Sequence, residues 1–364
     1  MAGTRKGVAD LPPGDCWQIR DALHRSLDGA ETVSALAGIA ADFPGFQAAM
    51  QRQAADAVEQ GRQISALTDL LTRRLVALSL PALPTPAPGP WAWLACGSQG
   101  RSEQTVHTDQ DNALIYADGL PASADDWFRR LAERVSDGLV RCGLPQCPGG
   151  VGPAGEDWRR SVTGWREALA DVVRYPERKA VMLATHYLDL RTVFGEESLF
   201  EPLRRNALIR AGGNSRFMAR LREAANRPAP PLGLFGRIRR PWFGPMAGHV
   251  DIKQGGILPL VQIVRCHAVR AGLPQLHTID RIHGVVREGL LRAETAAELE
   301  RAYRTLVGLR ARFHAEAIEQ GQRLANQLPL ADMTPDEKAD LRRAFRCIRL
   351  MQSVQRQAVL GEGL

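Results

Sequence analysis

The chain has 364 residues, of which 45% are hydrophobic and 24% are charged. This composition is typical of folded globular proteins and excludes extensive disorder, and the length suits two or three domains. The formal net charge of +7 favours acidic partners such as nucleotides, although an Arg-rich solvated surface also accounts for it. No basic motif with interleaved aromatic residues is present, so nucleic acid is not an expected partner.

The cysteines and the hydropathy pattern indicate the compartment. Among the six cysteines only Cys142 and Cys147 are close in sequence, and no further Cys or His lies at a zinc-site spacing. The N-terminal sequence MAGTRKGVADLPPGDCW lacks the apolar core of a signal peptide, and no apolar run approaches the length of a membrane span. We therefore expect a cytoplasmic protein without a membrane partner.

The first part of the chain, from about Pro12 to Leu80, has a helical pattern. Apolar residues recur at spacings of three and four, which places them on one helix face. They are Ile64, Leu67, Leu71, Leu75 and Leu78. That face needs a packing partner, so we predict a helical region over residues 1–85. The proline-rich sequence LPALPTPAPGPW that follows disfavours helix and predicts a linker.

Residues 86–198 combine short apolar runs with amphipathic segments. The predicted elements, in chain order, are strand Trp91–Gly97, strand Asn112–Tyr116, helix Asp125–Cys142, helix Val162–Val173, helix Pro176–Thr185 and strand His186–Gly195. The sequence CPGGVGPAGEDWRRS predicts a loop rich in Gly and Pro between two of these helices.

From residue 199 onward helical patterns dominate, which predicts a C-terminal helical domain over residues 199–364. The predicted helices are Glu201–Ala211, Ser215–Ala225, Pro259–Ala271, Ile279–Glu288, Ala296–Gln320 and Pro335–Gln357. An irregular basic segment, residues 227–256, interrupts them. Its length and its Gly and Pro content are typical of a lid or binding segment, and a surface loop without function is the alternative.

The stretch GSQGRSEQTVHTDQDNALIY, Gly97–Tyr116, carries the candidate chemistry. Gly97 and Gly100 allow the backbone to approach a ligand closely, and Ser98 adds a hydroxyl and an amide. A turn that leads into a helix presents unpaired N–H groups, which suit phosphate oxygens. Because Arg101 adds a planar cation, this end of the stretch predicts phosphate binding.

Two acidic residues, Asp109 and Asp111, directly precede the second predicted strand. On an extended segment, residues two apart point to the same face, so both carboxylates would meet one cation. Mg²⁺ prefers such hard oxygen ligands, and divalent ions stabilise the charges that develop when a nucleotide is transferred from a triphosphate. The pair therefore predicts a metal site for reaction at a nucleoside triphosphate.

This arrangement resembles the signature of the DNA polymerase β-type nucleotidyltransferases, in which a strand and Gly-Ser precede Asp-x-Asp and an apolar strand. The whole stretch resembles the core of a bacterial family of nucleotidyltransferases that is often fused to CBS or cyclic-nucleotide-binding modules. That family is similar to protein-PII uridylyltransferase and glutamine-synthetase adenylyltransferase. Further segments that resemble it are ISALTDLLTRRLVAL, YLDLRTVFG, RPAPPLGLFG, VDIKQGGILPLVQIVR and TIDRI. The resemblance covers most of the chain from about Ile64 onward.

The resemblance implies an α+β fold, in which a small mixed-sheet nucleotidyltransferase core is flanked by N-terminal and C-terminal helical bundles. It implies catalytic and metal-binding roles for Asp109, Asp111 and Asp189, with Mg²⁺ or Mn²⁺ as cofactor and a nucleoside triphosphate as substrate. The expected nucleotide contacts are Gly97, Ser98, Gly100, Arg101 and Lys253. The C-terminal helical domain would bind the acceptor, which we expect to be a side chain of a regulatory protein, and homodimer formation stays open.

Each of these residues also has a structural interpretation. Gly97 and Ser98 alone would form a tight turn, Asp109 a helix cap and Asp111 a solvated strand end. The alternative ion pairs are Arg101 with Glu103, Asp189 with Arg191 or another Arg, and Lys253 with Asp251. At the level of function the alternatives are a nucleotide-binding regulatory module with little or no turnover, a small-molecule nucleotidyltransferase, and a structural partner protein.

Overall fold

A computed structural model describes residues 15–233, 236–239 and 246–361, with backbone only for 358–361. Pro12 of the predicted first helical region and part of the predicted irregular segment 227–256 lie outside the described residues. The chain forms two compact units. The first comprises Met1–Ala168, Asp189–Arg204 and Ile318–Gly321; the second comprises Leu169–Leu188, Arg205–Ala317 and Gln322–Leu364. Since the N-terminal helices and the sheet fall in the same unit, the predicted boundary near residue 85 is not a boundary between these units.

Four helices open the described part of the first unit. They are α1 (Cys16–Asp28), α2 (Val33–Ala40), α3 (Phe43–Arg52) and α4 (Ala57–Ser79). Local capping explains where they begin: Thr32 Oγ1 accepts a hydrogen bond from Ala35 N, and Asp56 Oδ1 accepts one from Val58 N. The predicted apolar stripe on α4 is buried in the core of this unit, where Leu67, Leu71 and Leu75 have no exposed surface.

A four-stranded sheet follows, with strand order β3-β2-β1-β4. Its strands are β1 (Trp91–Ala95), β2 (Asn112–Tyr116), β3 (Arg159–Ser161) and β4 (Arg191–Gly195). The central strand β1 runs antiparallel to β2 and β4, and β3 pairs parallel to β2, so the sheet is mixed. Every residue of β1 is buried, as a continuous apolar run predicts. The predicted α+β fold is confirmed.

Three further helices connect or follow these strands. They are α5 (Gly97–Gly100), α6 (Ala124–Arg141) and α7 (Val162–Arg174). α6 packs on α4, and Trp165 of α7 donates from Nε1 to Leu114 O of β2 at 2.9 Å. The short helix α5 starts immediately after β1, so this unit holds the whole of the stretch from Gly97 to Tyr116.

The second unit is built mainly from helices. They are the last part of α7, then α8 (Arg178–Tyr187), α9 (Glu201–Gly213, shared with the first unit), α10 (Ser215–Ala225), α11 (Leu258–Arg270), α12 (Thr278–Arg287), α13 (Ala293–Glu319) and α14 (Pro335–Gly361). A two-stranded antiparallel ribbon pairs β5 (His249–Asp251) with β6 (Gln327–Pro329), and a π-helical turn, Lys253–Ile257, leads into α11. No helix of the described residues combines the length and apolarity needed to cross a membrane.

Two strand predictions differ from the structure. The predicted strand His186–Gly195 begins only at Arg191, because α8 continues through Tyr187 and the chain then turns. The strand β3 lies in the segment predicted as a loop rich in Gly and Pro. Its three residues are two arginines and a serine, which carry little strand propensity, so pairing with β2 rather than local sequence determines this strand.

Candidate functional site

Gly97 marks the point where β1 turns into the short helix α5. Its φ angle is +60°, in the left-handed region that favours glycine. A Cβ atom built on Gly97 would lie 2.2 Å from Asp111 Oδ2, so no other residue fits without moving that carboxylate. The backbone also ties the two segments together, since Cys96 N donates to Asp111 O at 2.9 Å. The structure thus brings Gly97 and Asp111 into direct contact.

The residue between the two acids, Gln110, determines how they are presented. Its side chain is buried and donates from Nε2 to Leu144 O and Ser136 O, at 3.1 and 3.2 Å, while its backbone N donates to Pro145 O. Gln110 also forms a β-bridge with Gln146, so the chain is extended here. Side chains alternate along an extended chain, so Asp109 and Asp111 point to the face opposite that of Gln110.

Asp111 has an oxygen atom that the protein leaves unsatisfied. Its Oδ1 is buried and has no hydrogen-bond partner. On the neighbouring turn, Ser98 Oγ lies 3.3 Å from Thr108 Oγ1, one residue before Asp109. A buried carboxylate oxygen without a partner is costly, and a cation would remove that cost.

The pKa values of two thiols next to the site reflect the negative charge of its carboxylates. Burial raises the pKa of the Cys96 thiol well above its usual value, and the charges of Asp111 and Asp189 raise it further. Burial also raises the pKa of Cys147, with a further contribution from its hydrogen bond to Asp111. Both thiols are therefore less acidic than an exposed cysteine, because burial and the neighbouring carboxylates disfavour the thiolate.

Asp189 has a very different environment. Its side chain has no exposed surface, and its Oδ2 accepts a hydrogen bond from Arg101 Nη1 at 2.9 Å. Arg101 Nε also donates to Glu103 Oε2 at 2.8 Å. Burial lowers the pKa of Arg101, but Glu103 and Asp189 more than offset this, and the net effect raises that pKa. Arg101, Glu103 and Asp189 form a buried ionic triad.

A second network, of hydrogen bonds and one ion pair, holds the turn formed by α5. Arg191 Nη2 donates to Gln99 O at 2.9 Å and Nε donates to Gly100 O at 3.1 Å. Asp69 of α4 accepts from Gln99 Nε2 through Oδ1 and pairs with Arg191 Nη2 through Oδ2, at 2.9 and 2.7 Å. The Asp69–Gln99–Arg191 network therefore fixes the backbone of α5 between α4 and β4.

The N-terminal helices also hold the loop that follows α5. Ser65 Oγ of α4 accepts from Gln104 N at 3.1 Å, and Gln47 Oε1 of α3 accepts from Val106 N at 3.0 Å. Together with the network at Asp69, these contacts mean that side chains of α3, α4 and β4 hold the segment between β1 and β2.

The structure places the predicted site residues in different environments. Gly97, Ser98, Asp109 and Asp111 lie along the turn and the strand entrance. Gly100 is required by packing, because an added Cβ would lie 2.4 Å from Asp189 O and 2.9 Å from Ala95 O.

The other predicted site residues are Arg101, Asp189 and Lys253. Arg101 makes the predicted alternative ion pair with Glu103, and Asp189 pairs with Arg101 while Arg191 pairs with Asp69. Lys253 lies in the second unit, at the start of the π-helical turn. Its predicted contact with phosphate, and the metal-binding role of Asp189, stay predictions.

Sequence reasoning missed Asp69 and Gln99, and it considered Arg191 only as a possible ion-pair partner of Asp189. Asp69 lies on the face of α4 opposite the apolar stripe, so the helical pattern gave no signal that this carboxylate is buried and paired. Among the described residues, no group of three or more His, Cys, Asp and Glu side chains is placed to hold a metal ion. Two carboxylates are sufficient for Mg²⁺ when phosphate oxygens and water complete its shell.

Comparison with known families agrees with this geometry. An α+β unit with an acidic pair beside a glycine turn fits the class of nucleotide-transferring proteins. The family model "Putative nucleotidyltransferase DUF294" matches residues 41–179, and "Putative nucleotidyltransferase substrate binding domain" matches residues 215–359. The chain belongs to this nucleotidyltransferase family. Comparison with curated proteins gave no match. Family membership supports a nucleotidyl-transfer function and implies a nucleoside triphosphate as substrate.

Proposed function

We propose that the chain transfers a nucleoside monophosphate from a nucleoside triphosphate to a protein side chain, in the manner of the uridylyl- and adenylyltransferases. Asp109 and Asp111 would hold the divalent cation that this reaction uses. The observation that carries the proposal is the buried, unpartnered Oδ1 of Asp111, a carboxylate whose Oδ2 lies against Gly97, where only glycine fits.

The residues fit Mg²⁺ or Mn²⁺. Both candidate ligands are carboxylates, which are the hard oxygen donors that these ions prefer, and one of their oxygens lacks any protein partner. When bound, such an ion would neutralise charge on the triphosphate and on the leaving pyrophosphate.

The other residues of the turn would bind and orient the triphosphate. Gly97 and Ser98 lie where backbone amides and a hydroxyl are available to phosphate oxygens, as the family resemblance implies. The Asp69–Gln99–Arg191 network keeps this turn in a single conformation, so little reorganisation is needed when the nucleotide binds. The buried triad of Arg101, Glu103 and Asp189 lies beside the turn and packs against it, since Gly100 contacts Asp189 O.

The test is a transfer assay with four α-labelled nucleoside triphosphates, each incubated separately with the protein, MgCl₂ and lysate. We expect one nucleotide to label an acceptor protein. Asp111→Asn should reduce labelling by about 1,000-fold, because the cation loses a ligand that is already in place. Asp137→Asn, at an exposed position on α6, is the matched control and should label normally.

A binding measurement separates the alternatives. Calorimetry with Mn²⁺ and a non-hydrolysable triphosphate should show binding to the unchanged protein and much weaker binding to Asp111→Asn. Tight nucleotide binding without any transfer, across protein and small-molecule acceptors, would identify a regulatory module instead. Transfer to a small hydroxyl or amine compound, with no labelled protein, would identify the small-molecule alternative. Equal labelling by Asp111→Asn would show that the proposed site is wrong.

A further inference from the structure

The second unit contains a large cavity that the proposed reaction does not use. It has a volume of about 1170 Å³ and is lined by residues of α8, α10, the π-helical turn and the start of α11. Cavities for small-molecule ligands are typically about 300–1,000 Å³, so this one exceeds that range. The family match describes residues 215–359 as a substrate-binding domain, and part of the lining belongs to it.

The charge of the lining is predominantly positive. Five cationic and two acidic side chains line the cavity. One of the acids, Glu223, is shared by two of the cations, since its carboxylate pairs with Arg220 at 2.8 Å and with Arg227 at 3.0 Å. The pKa of Glu223 is lowered by these two hydrogen bonds. The other three cations, Arg178, Lys179 and Arg216, therefore leave an excess of positive charge.

These three cations stand where helix formation does not favour them. Arg178 and Lys179 begin α8, and Arg216 is the second residue of α10. The N-terminal end of a helix is the positive end of its dipole, so cations there are unfavourable and acids are preferred. The acid Glu177 occupies the N-cap of α8 and also lines the cavity, whereas α10 has Asn214 as its N-cap and no acid in its first turn. One acid beside two cations at the start of α8, and none at the start of α10, leave positive charge in the lining that an anionic ligand would compensate.

The cavity also offers apolar surface and amide groups. Met182 on α8 is 55% exposed, which is unusual for a large apolar side chain, and it lies in the lining with Val181 and Leu258. Gln254 and Gln262 add side-chain amides, which can hydrogen-bond an extended peptide backbone. Methionine adapts its shape readily and is common at surfaces that bind protein segments.

We propose that this cavity docks an acidic segment of the acceptor protein, with an apolar side chain of that segment resting on Met182. The cations Arg178, Lys179 and Arg216 would pair with its carboxylates. This proposal rests on the proposed function, because it assumes a protein acceptor. A segment with both charge and an apolar anchor matches the lining better than a nucleotide does, since the cavity is larger than a nucleotide needs.

The experiment uses fluorescence anisotropy with the full chain and three short labelled peptides, which repeat Glu-Glu-Leu, Gln-Gln-Leu or Lys-Lys-Leu. We expect binding of the acidic peptide alone, with affinity that falls as salt rises. The variant Arg178→Glu/Lys179→Glu/Arg216→Glu should weaken this binding by more than about tenfold. Its matched control is Arg287→Glu/Arg323→Glu/Arg356→Glu. This variant makes the same change in net charge at exposed positions outside the cavity and should bind the acidic peptide normally.

A second variant isolates the apolar anchor. Met182→Gln, which adds no charge, should weaken binding of the acidic peptide, and Met182→Leu should bind it normally. Equal weakening by the control triple variant, or equal binding of all three peptides, would overturn the proposal. Inorganic triphosphate that displaces the acidic peptide at far lower concentration would identify a small-anion site instead. Self-association that depends on these cations, measured by sedimentation, would assign the cavity to a second copy of the chain.

Failure of this proposal differs from failure of the proposed function. If the triple cavity variant transfers nucleotide to protein at the normal rate while Asp111→Asn does not, the function stands and the docking cavity is wrong. If Asp111→Asn also transfers normally, the proposed function fails, whereas binding of the acidic peptide is measured independently of transfer.

Discussion

Asp111 and Asp189 lie close enough to the same buried thiol to raise its pKa together, yet the protein treats them in opposite ways. Asp189 is fully buried and held by Arg101, whereas Asp111 is half-buried and keeps one oxygen without a partner. The comparison teaches that burial and acidity alone do not identify a metal ligand. What distinguishes the two carboxylates is whether the protein itself supplies the positive charge.

The largest expected effect concerns the paired carboxylate. Asp189→Asn would leave the buried Arg101 with Glu103 alone, and we expect the free energy of unfolding to fall by about 3 kcal/mol. Chemical denaturation measures this loss. The neutral triple variant Arg101→Gln/Glu103→Gln/Asp189→Asn should recover part of it, because it also removes the desolvation cost of the remaining Arg101–Glu103 pair.

The single variant Asp189→Asn also tests whether Asp189 and Asp111 have different roles. Asp189→Asn should bind Mn²⁺ with nearly unchanged affinity, in contrast to Asp111→Asn. Loss of Mn²⁺ binding in both variants, under conditions where both remain folded, would show that Asp189 is also a ligand, as the family resemblance implies.

The second effect concerns the close contact of Gly97 with Asp111. Gly97→Ala should reduce kcat/KM by about 30-fold, roughly 2 kcal/mol, because the new Cβ displaces the carboxylate from its position. Gly119→Ala is the matched control, since Gly119 has a φ of +74° and open space around its Cβ position. Both variants carry similar backbone strain, so an equal loss of activity would show that strain and not crowding is responsible.

A smaller effect is expected from the network below the turn. Arg191→Lys keeps a charge near Asp69 but loses the planar fork that reaches both Gln99 O and Gly100 O. We expect kcat/KM to fall about tenfold, with Arg191→Gln worse, because the turn gains conformations. Arg130→Lys, at an exposed surface pair on α6, should have no effect on the kinetics. Unchanged kinetics in Arg191→Lys would show that α5 keeps its conformation without the fork.

The smallest effect comes from a carboxylate that is paired but exposed. Hydrogen bonds from Arg159 lower the pKa of Asp125, with burial opposing and the charge of Arg159 adding to the effect. Because the folded pKa is lowered, this contribution to stability is full above the unfolded value of 3.8 and disappears as the pH falls through the folded value. Asp125→Asn should lose at most about 1 kcal/mol at pH 7, since the side chain is 47% exposed.

Denaturation as a function of pH checks the sign. The difference in stability between the unchanged protein and Asp125→Asn should shrink as the pH is lowered below 3.8. A difference that persists at lower pH would show that the hydrogen bonds to Arg159, rather than the carboxylate charge, stabilise the fold.

The sequence allowed the acidic pair to be located because its information is local. Asp109 and Asp111 are two residues apart, and the turn at Gly97 follows an apolar run that is readily assigned to a strand. The networks behind the turn are different, because Arg101 pairs with a residue 88 positions later and Asp69 with one 122 positions later. Such pairs depend on the packing of α4 and β4, which local patterns do not specify. Strand β3 escaped prediction for the same reason, since its partner β2 determines it.

The hydrogen bonds from Ser65 and Gln47 to the loop after α5 have a practical consequence for dissecting this protein. A fragment cut at residue 86 would retain the glycine turn and both candidate ligands, yet it would lack the side chains that anchor the intervening backbone. Fragment studies of this family should therefore keep the leading helices, because these helices hold the loop between the glycine turn and the acidic pair.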